Sequence, residues 1–149
     1  MSIVVAGYAN TPHGQAALQR ARTEAQLRGV PLRVVAYVGH DVGESPTQVR
    51  AQRESIDRLE GELEALATQL GSDEVVVSTE VRHGLPNGVS QALVEAADRA
   101  EADLLVIGMR RRSPVGKLVL GSVVQDVLLA ANCPVLAVKA QEGARARRA

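Results

Sequence analysis

The sequence predicts an α/β domain in which a mostly parallel sheet is covered on both faces by helices. Three observations lead there. Five short apolar runs are separated by longer segments with helical spacing, and strands that alternate with helices are joined by crossovers rather than hairpins. The runs are rich in valine and mostly continuous, as in strands buried on both faces. Phe and Trp are absent, and Tyr8 and Tyr37 are the only aromatic residues. The interior must therefore be aliphatic, which suits valine strands under Ala/Leu helices. At 149 residues, one such domain accounts for the chain.

The elements follow in order. The run IVVA, residues 3–6, reads as a buried strand ended by Gly7. Thr11 followed by Pro12 has the form of a helix cap with proline at the first helical position, and the alanine-rich segment from there to Arg28 stops at Gly29. LRVVAYV, 32–38, is the second strand. Ser45-Pro46 opens a long helix in which Ile56, Leu59, Leu63, Leu66 and Leu70 keep one apolar stripe, with Gly71 as its end. EVVVSTEV, 74–81, reads as a third strand with one polar side, nearer an edge. LPNG turns the chain into a helix over 88–100. DLLVIG, 103–108, is the most continuous apolar run and the best central strand; Ser122–Ala131 form a short helix and CPVLAVK, 133–139, the last strand. The domain is expected to span 1–140, with a basic, disordered tail over 141–149.

Composition excludes several classes. Lys plus Arg and Asp plus Glu both number 17, so overall charge gives no case for a polyanion partner, and scarce aromatics weaken any base-stacking platform. No nucleic-acid partner is expected. Cys133 is alone, so there is neither a disulfide framework nor a cysteine metal cluster; it reads as a small buried hydrophobe. No basic segment precedes the first apolar run, and no run approaches membrane-spanning length. A cytoplasmic protein without membrane contact is the expectation.

In parallel sheets of this kind ligands gather beyond the carboxyl ends of the strands, where the loops after residues 7, 38 and 108 lie. The segment GMRRRSPVGKLVLGSVVQD, 108–126, follows the fourth run and carries Arg110, Arg111, Arg112 and Lys117. It is not a P-loop, because Arg111 stands where the first glycine belongs and Leu118 where the hydroxyl belongs. The first strand is followed by GYANTPHG, which is not a dinucleotide fingerprint. Gly121-Ser122 nevertheless sits directly before an apolar helix, where first-turn N–H groups and a hydroxyl can receive a phosphate, and Gly108 leaves room on the opposite side. The competing reading is an S-x-x-Q capping box from Ser122 to Gln125, with Asp126 in the first turn.

Elsewhere, Asn10 and Thr11 suit turn formation and capping, and His13 an exposed helix start. His40, Asp41 and Glu44 cluster after the second strand, where a solvated loop is favoured over a metal site; His83 carries no local signal.

Together, IVVAGYANTPHGQAAL and DLLVIGMRRRSPVGKLVLGSVVQDVLLAANCPVLAVK resemble the universal stress protein family over nearly the whole domain. The resemblance implies an open five-stranded parallel sheet of order 3-2-1-4-5 and a homodimer. Pairing through the last strand, 133–139, would also protect an apolar sheet edge. Family members with the motif G-x-x-G, nine residues, G-S/T bind ATP, and others do not. Gly108 matches the first glycine and Gly121-Ser122 the last pair, while Arg111 replaces the middle glycine with the interval 112–120 preserved. Tyr8 stands where ATP-binding members place an aspartate, and Asn10 where they place a serine.

The resemblance implies an adenine nucleotide, ATP in the first instance, with any Mg²⁺ carried by its phosphates. Gly121, Ser122 and Val123 would receive phosphate, with Arg110, Arg111 or Lys117 adding charge, while Gly7, Tyr8, Asn10, Val38 and Gly108 would border the nucleoside. No catalytic residue is assigned. Two further readings stand beside this one: a nucleotide-free homodimeric interaction module, and a slow ATPase.

Overall fold

A computed structural model describes residues 2–41, 45–110 and 120–140. Strand β1 (Val4–Tyr8) leads into helix α1 (Pro12–Arg28), followed by β2 (Leu32–Gly39), α2 (Pro46–Leu70), β3 (Val77–Gly84), α3 (Val89–Arg99), β4 (Leu104–Met109), α4 (Ser122–Ala130) and β5 (Val135–Lys139). All strand pairs are parallel, and the order across the sheet is β3-β2-β1-β4-β5. The predicted architecture is thus the observed one.

Local chemistry sets the helix ends. Thr11 accepts the Gly14 N–H at 3.0 Å, with Pro12 at the first helical position. Ser45 and Gln48 form a reciprocal capping box ahead of α2. Gly29 ends α1 at φ 65°, the left-handed conformation that glycine adopts without a Cβ penalty. Arg22 Nε donates to the Leu70 carbonyl at 2.8 Å, tying the close of α2 to α1.

The period of two along each strand divides the interior. Val4 and Ala6 of β1 with Leu32, Val34 and Ala36 of β2 face α1 and α2, where Leu18, Ala21 and Leu63 meet them. Val5, Val35, Leu105 and Ile107 face α3 and α4, against Leu93, Ala97 and Val127. Both layers are aliphatic, as the composition demanded, with Tyr8 the one aromatic in either buried set.

One strand lies away from its predicted place. The third was expected over 74–81 but begins at Val77 and runs to Gly84. The Ser72 hydroxyl accepts the N–H groups of Glu74 and Val75, and the Ser72 N–H donates to the Val75 carbonyl, so these residues close a turn instead of pairing. The residues VRHG join the ladder at this sheet edge, where Val81 packs toward the α1–α2 core and the charged Arg82 turns to the opposite face. Arg82 there donates to Glu95 of α3 at 2.7 Å.

Leu63 is fully buried, whereas Leu27 is 74% exposed. Leu63→Ala is expected to lower unfolding free energy by about 2–5 kcal/mol in urea denaturation, and Leu27→Ala to change it by less than about 0.5 kcal/mol. Equal losses at the two positions would contradict the packing described.

Candidate functional site

Strand order reverses at β1: the chain moves to one side through β2 and β3, then returns to the other through β4 and β5. The crossovers therefore leave the carboxyl ends of β1 and β4 in opposite directions, and a crevice opens between them. It is a hollow of about 700 Å³. Gly7, Tyr8 and Ala9 border it from β1, and Gly108, Met109 and Arg110 from β4. Gly121 to Val124 close one side at the start of α4, and Tyr37 stands on another with Val89 and Leu93.

The start of α4 is open toward ligands. Gly121 is the cap residue, with φ −62° and ψ 155°, and as a glycine it has no side chain to bond the first-turn N–H groups. Ser122 is already inside the helix, so the expected Ser122–Gln125 capping box does not form. A capping serine must hold the extended backbone that Gly121 holds here. Asp126 also falls beyond the first turn, which has no acid. The N–H groups of Ser122, Val123 and Val124 thus lack intrahelical acceptors at the hollow's wall. Among the described lining residues there is no Asp or Glu, whereas Arg110 and His13 are both present. That combination favours an anion.

Two motif glycines have different causes. A side chain at Gly108 would run into the backbone of His13 and Gly14, so this glycine lets α1 start close against β4. A side chain at Gly121 would meet nothing within 4 Å among the described residues, and its backbone is one any residue adopts. Packing explains Gly108, whereas the described residues supply no packing reason for Gly121.

Other predicted residues fall on both sides of the wall. Tyr8 borders the hollow, but its ring belongs to the α1–α2 core and its hydroxyl accepts from Gln15 at 2.8 Å. Burial holds its phenol above the usual value of 10.0, so the group is neutral and supplies no carboxylate-like charge. Asn10 is exposed and accepts from Gln15 at 3.3 Å; it does not line the hollow. Val38 does not line it either. It shares the parity of Val34 and Ala36, which point to the α1–α2 side, whereas the hollow lies on the side of Val35.

The residue that takes Val38's expected place is Tyr37, whose hydroxyl donates to the Leu85 carbonyl at 2.6 Å. Strand parity counted from Val35 would have found it. His13, expected to be exposed, is half-buried and lines the hollow. Arg111 and Lys117 lie outside the described residues, as do Arg112 and Glu44. Cys133 is half-buried, and burial followed by the nearby Asp98 charge raises its thiol above 9.0, so it is a poor nucleophile at neutral pH.

Residues 1–139 match the family model described as Universal stress protein family. A universal stress protein of Mycolicibacterium smegmatis is 36% identical over 137 residues, covering 92% of this chain and 97% of that one. One from Thermus aquaticus is 32% identical over 143 residues, covering 91% and 97%. Among solved structures, the universal stress protein from Archaeoglobus fulgidus in complex with dAMP superposes with a TM-score of 0.62 at 25% identity, covering 93% of this chain and 98% of that one. A universal stress protein in complex with cAMP does so at 0.58 and 25%, covering 94% and 98%.

The two glycines can be separated experimentally. Gly108→Ala is expected to cost about 1–3 kcal/mol of stability because backbone must move, while Gly121→Ser, which adds a good capping side chain, leaves stability equal or slightly higher. Thermal melts of both variants beside the parent check this; a Gly121→Ser loss as large as that of Gly108→Ala would contradict it.

Proposed function

The chain belongs to the universal stress protein family, and on that premise we propose that it is an adenine-nucleotide-binding regulatory protein of the cytoplasm. The observation that carries this reading is the hollow at the β1–β4 switch point, with first-turn helix N–H donors on one wall and an aromatic ring on another. Phosphate would lie over Gly121, Ser122 and Val123, with Arg110 beside it and Arg111 and Lys117 as further cations from the neighbouring segment. The base would lie toward Tyr37, between apolar residues such as Val35 and Leu93. Gly7 keeps the floor low: a side chain there would meet Leu93 at 2.9 Å. The dAMP and cAMP complexes of related proteins support a nucleotide of this size and base.

ATP is the finer reading. A Mg²⁺ ion would be held by the nucleotide's own phosphates, since the described lining offers no carboxylate to ligate it. The same lack leaves no carboxylate to activate an attacking water among those residues, where His13 is the one imidazole. Binding would therefore act by changing conformation or partner choice rather than through rapid turnover.

Titration with AMP, cAMP and ATP, with and without magnesium, tests this. Saturable binding below millimolar is expected, with Ser122→Ala and Tyr37→Ala each weakening it roughly tenfold, or about 1.4 kcal/mol. No saturable binding at millimolar ligand would overturn the nucleotide reading and favour a nucleotide-free module.

The homodimer is proposed on a separate observation. Strand β5 is a sheet edge paired only with β4 among the described residues, and on adjacent α4 Leu128 and Leu129 are 45% and 80% exposed. Such an edge with apolar neighbours is protected by pairing with a second copy. Sedimentation equilibrium is expected to give a two-chain mass that Leu129→Lys lowers; a monomer at every concentration would rule the pairing out.

A further inference from the structure

Outside the hollow, the register of the edge pair brings together two imidazoles that are 43 residues apart in sequence. Val38 of β2 is paired with His83 of β3, and the His40 N–H donates to the Gly84 carbonyl at 2.8 Å. His40 Nε2 and His83 Nδ1 consequently stand 3.1 Å apart, with ring centroids at 5.3 Å. The His40 end is held in place, because Gln52 Nε2 of α2 also donates to the Asp41 carbonyl at 3.2 Å. That carbonyl lies 3.4 Å from His40 Nδ1, an arrangement that favours the proton on Nδ1 and leaves Nε2 with its lone pair.

We propose that His40 and His83 form a two-imidazole site for a borderline divalent cation of the zinc class. Two nitrogens bound to one ion at about 2.05 Å are separated by about 2.9 Å in a right-angle arrangement and about 3.3 Å in a tetrahedral one. The observed 3.1 Å lies between these limits. In the metal-free chain one ring must donate to the other; binding replaces that proton with the cation, after His83 shifts its own proton to Nε2. His83 also lines an open hollow of about 600 Å³ with Asp57, Gln52 and Arg53 of α2. Asp57 adds negative charge there and Arg53 opposes it. Among the described residues no third His, Cys, Asp or Glu closes a cage, which leaves positions on the ion open to water. The site takes exchangeable cations and clasps the ends of β2 and β3.

The chain has three histidines, which makes the test direct. Untagged, metal-stripped protein is titrated with zinc chloride while the imidazole proton signals are followed by NMR. The expected result is one ion per chain, with His40 and His83 shifted, His13 unmoved, and a higher melting temperature with zinc. His40→Gln and His83→Gln should each weaken binding at least tenfold and remove that thermal gain, with native circular dichroism retained. A double variant that binds as tightly as the parent, a shift confined to His13, or no signal change at millimolar zinc would overturn the proposal.

Discussion

Everything in this fold depends on β1 being paired on both sides. Val4 lies level with Leu32 of β2 and with Leu104 of β4, so one five-residue strand sets the register for both halves of the sheet. It is buried from both faces, with Val4, Val5 and Ala6 at 0% exposure. Because β4 follows β1 across the sheet but not along the chain, the helices after them must part, and the crevice follows from strand order rather than from any particular side chain. Gly108 then allows the start of α1 to lie tight against β4. The hollow is therefore a consequence of topology that individual residues shape and charge.

The sequence made the order of elements legible because the signals involved are local: continuous valine runs, Thr11-Pro12, Ser45-Pro46 and Gly29. It made the beginning of α4 legible in kind but not in phase. Gly121 and Ser122 can each serve as a cap, and only the backbone angles decide between them. The same limit explains Val38 and Tyr37. Both are apolar neighbours on one strand, and which of them faces the crevice is fixed by which side α3 occupies. In β3, the Ser72 turn competes with strand pairing, and a run of valines alone does not show that competition. Contacts between strands were the least legible. Nothing near His40 in sequence announces His83, because their approach depends on the register of β2 against β3.

The two sheet edges differ in the same physical terms. Edge β3 carries Glu80 and Arg82, and Arg82 pairs with both Glu80 and Glu95 of α3. Edge β5 carries Val135, Leu136, Ala137 and Val138, all half-buried. Charged side chains discourage further pairing along β3, whereas β5 retains an aliphatic border. No described helix is long and apolar enough to cross a membrane.

The aliphatic interior has an optical consequence. With Phe and Trp absent, Tyr8 and Tyr37 are the chain's only aromatic chromophores, and both border the crevice. Near-ultraviolet absorption, dichroism and emission from this protein thus originate at the two sides of β1 and β2 that flank the cleft, Tyr37 on its wall and Tyr8 in the core beside it, while the rest of the folded interior is spectroscopically dark. The molecule carries a built-in, label-free gauge of that one locality.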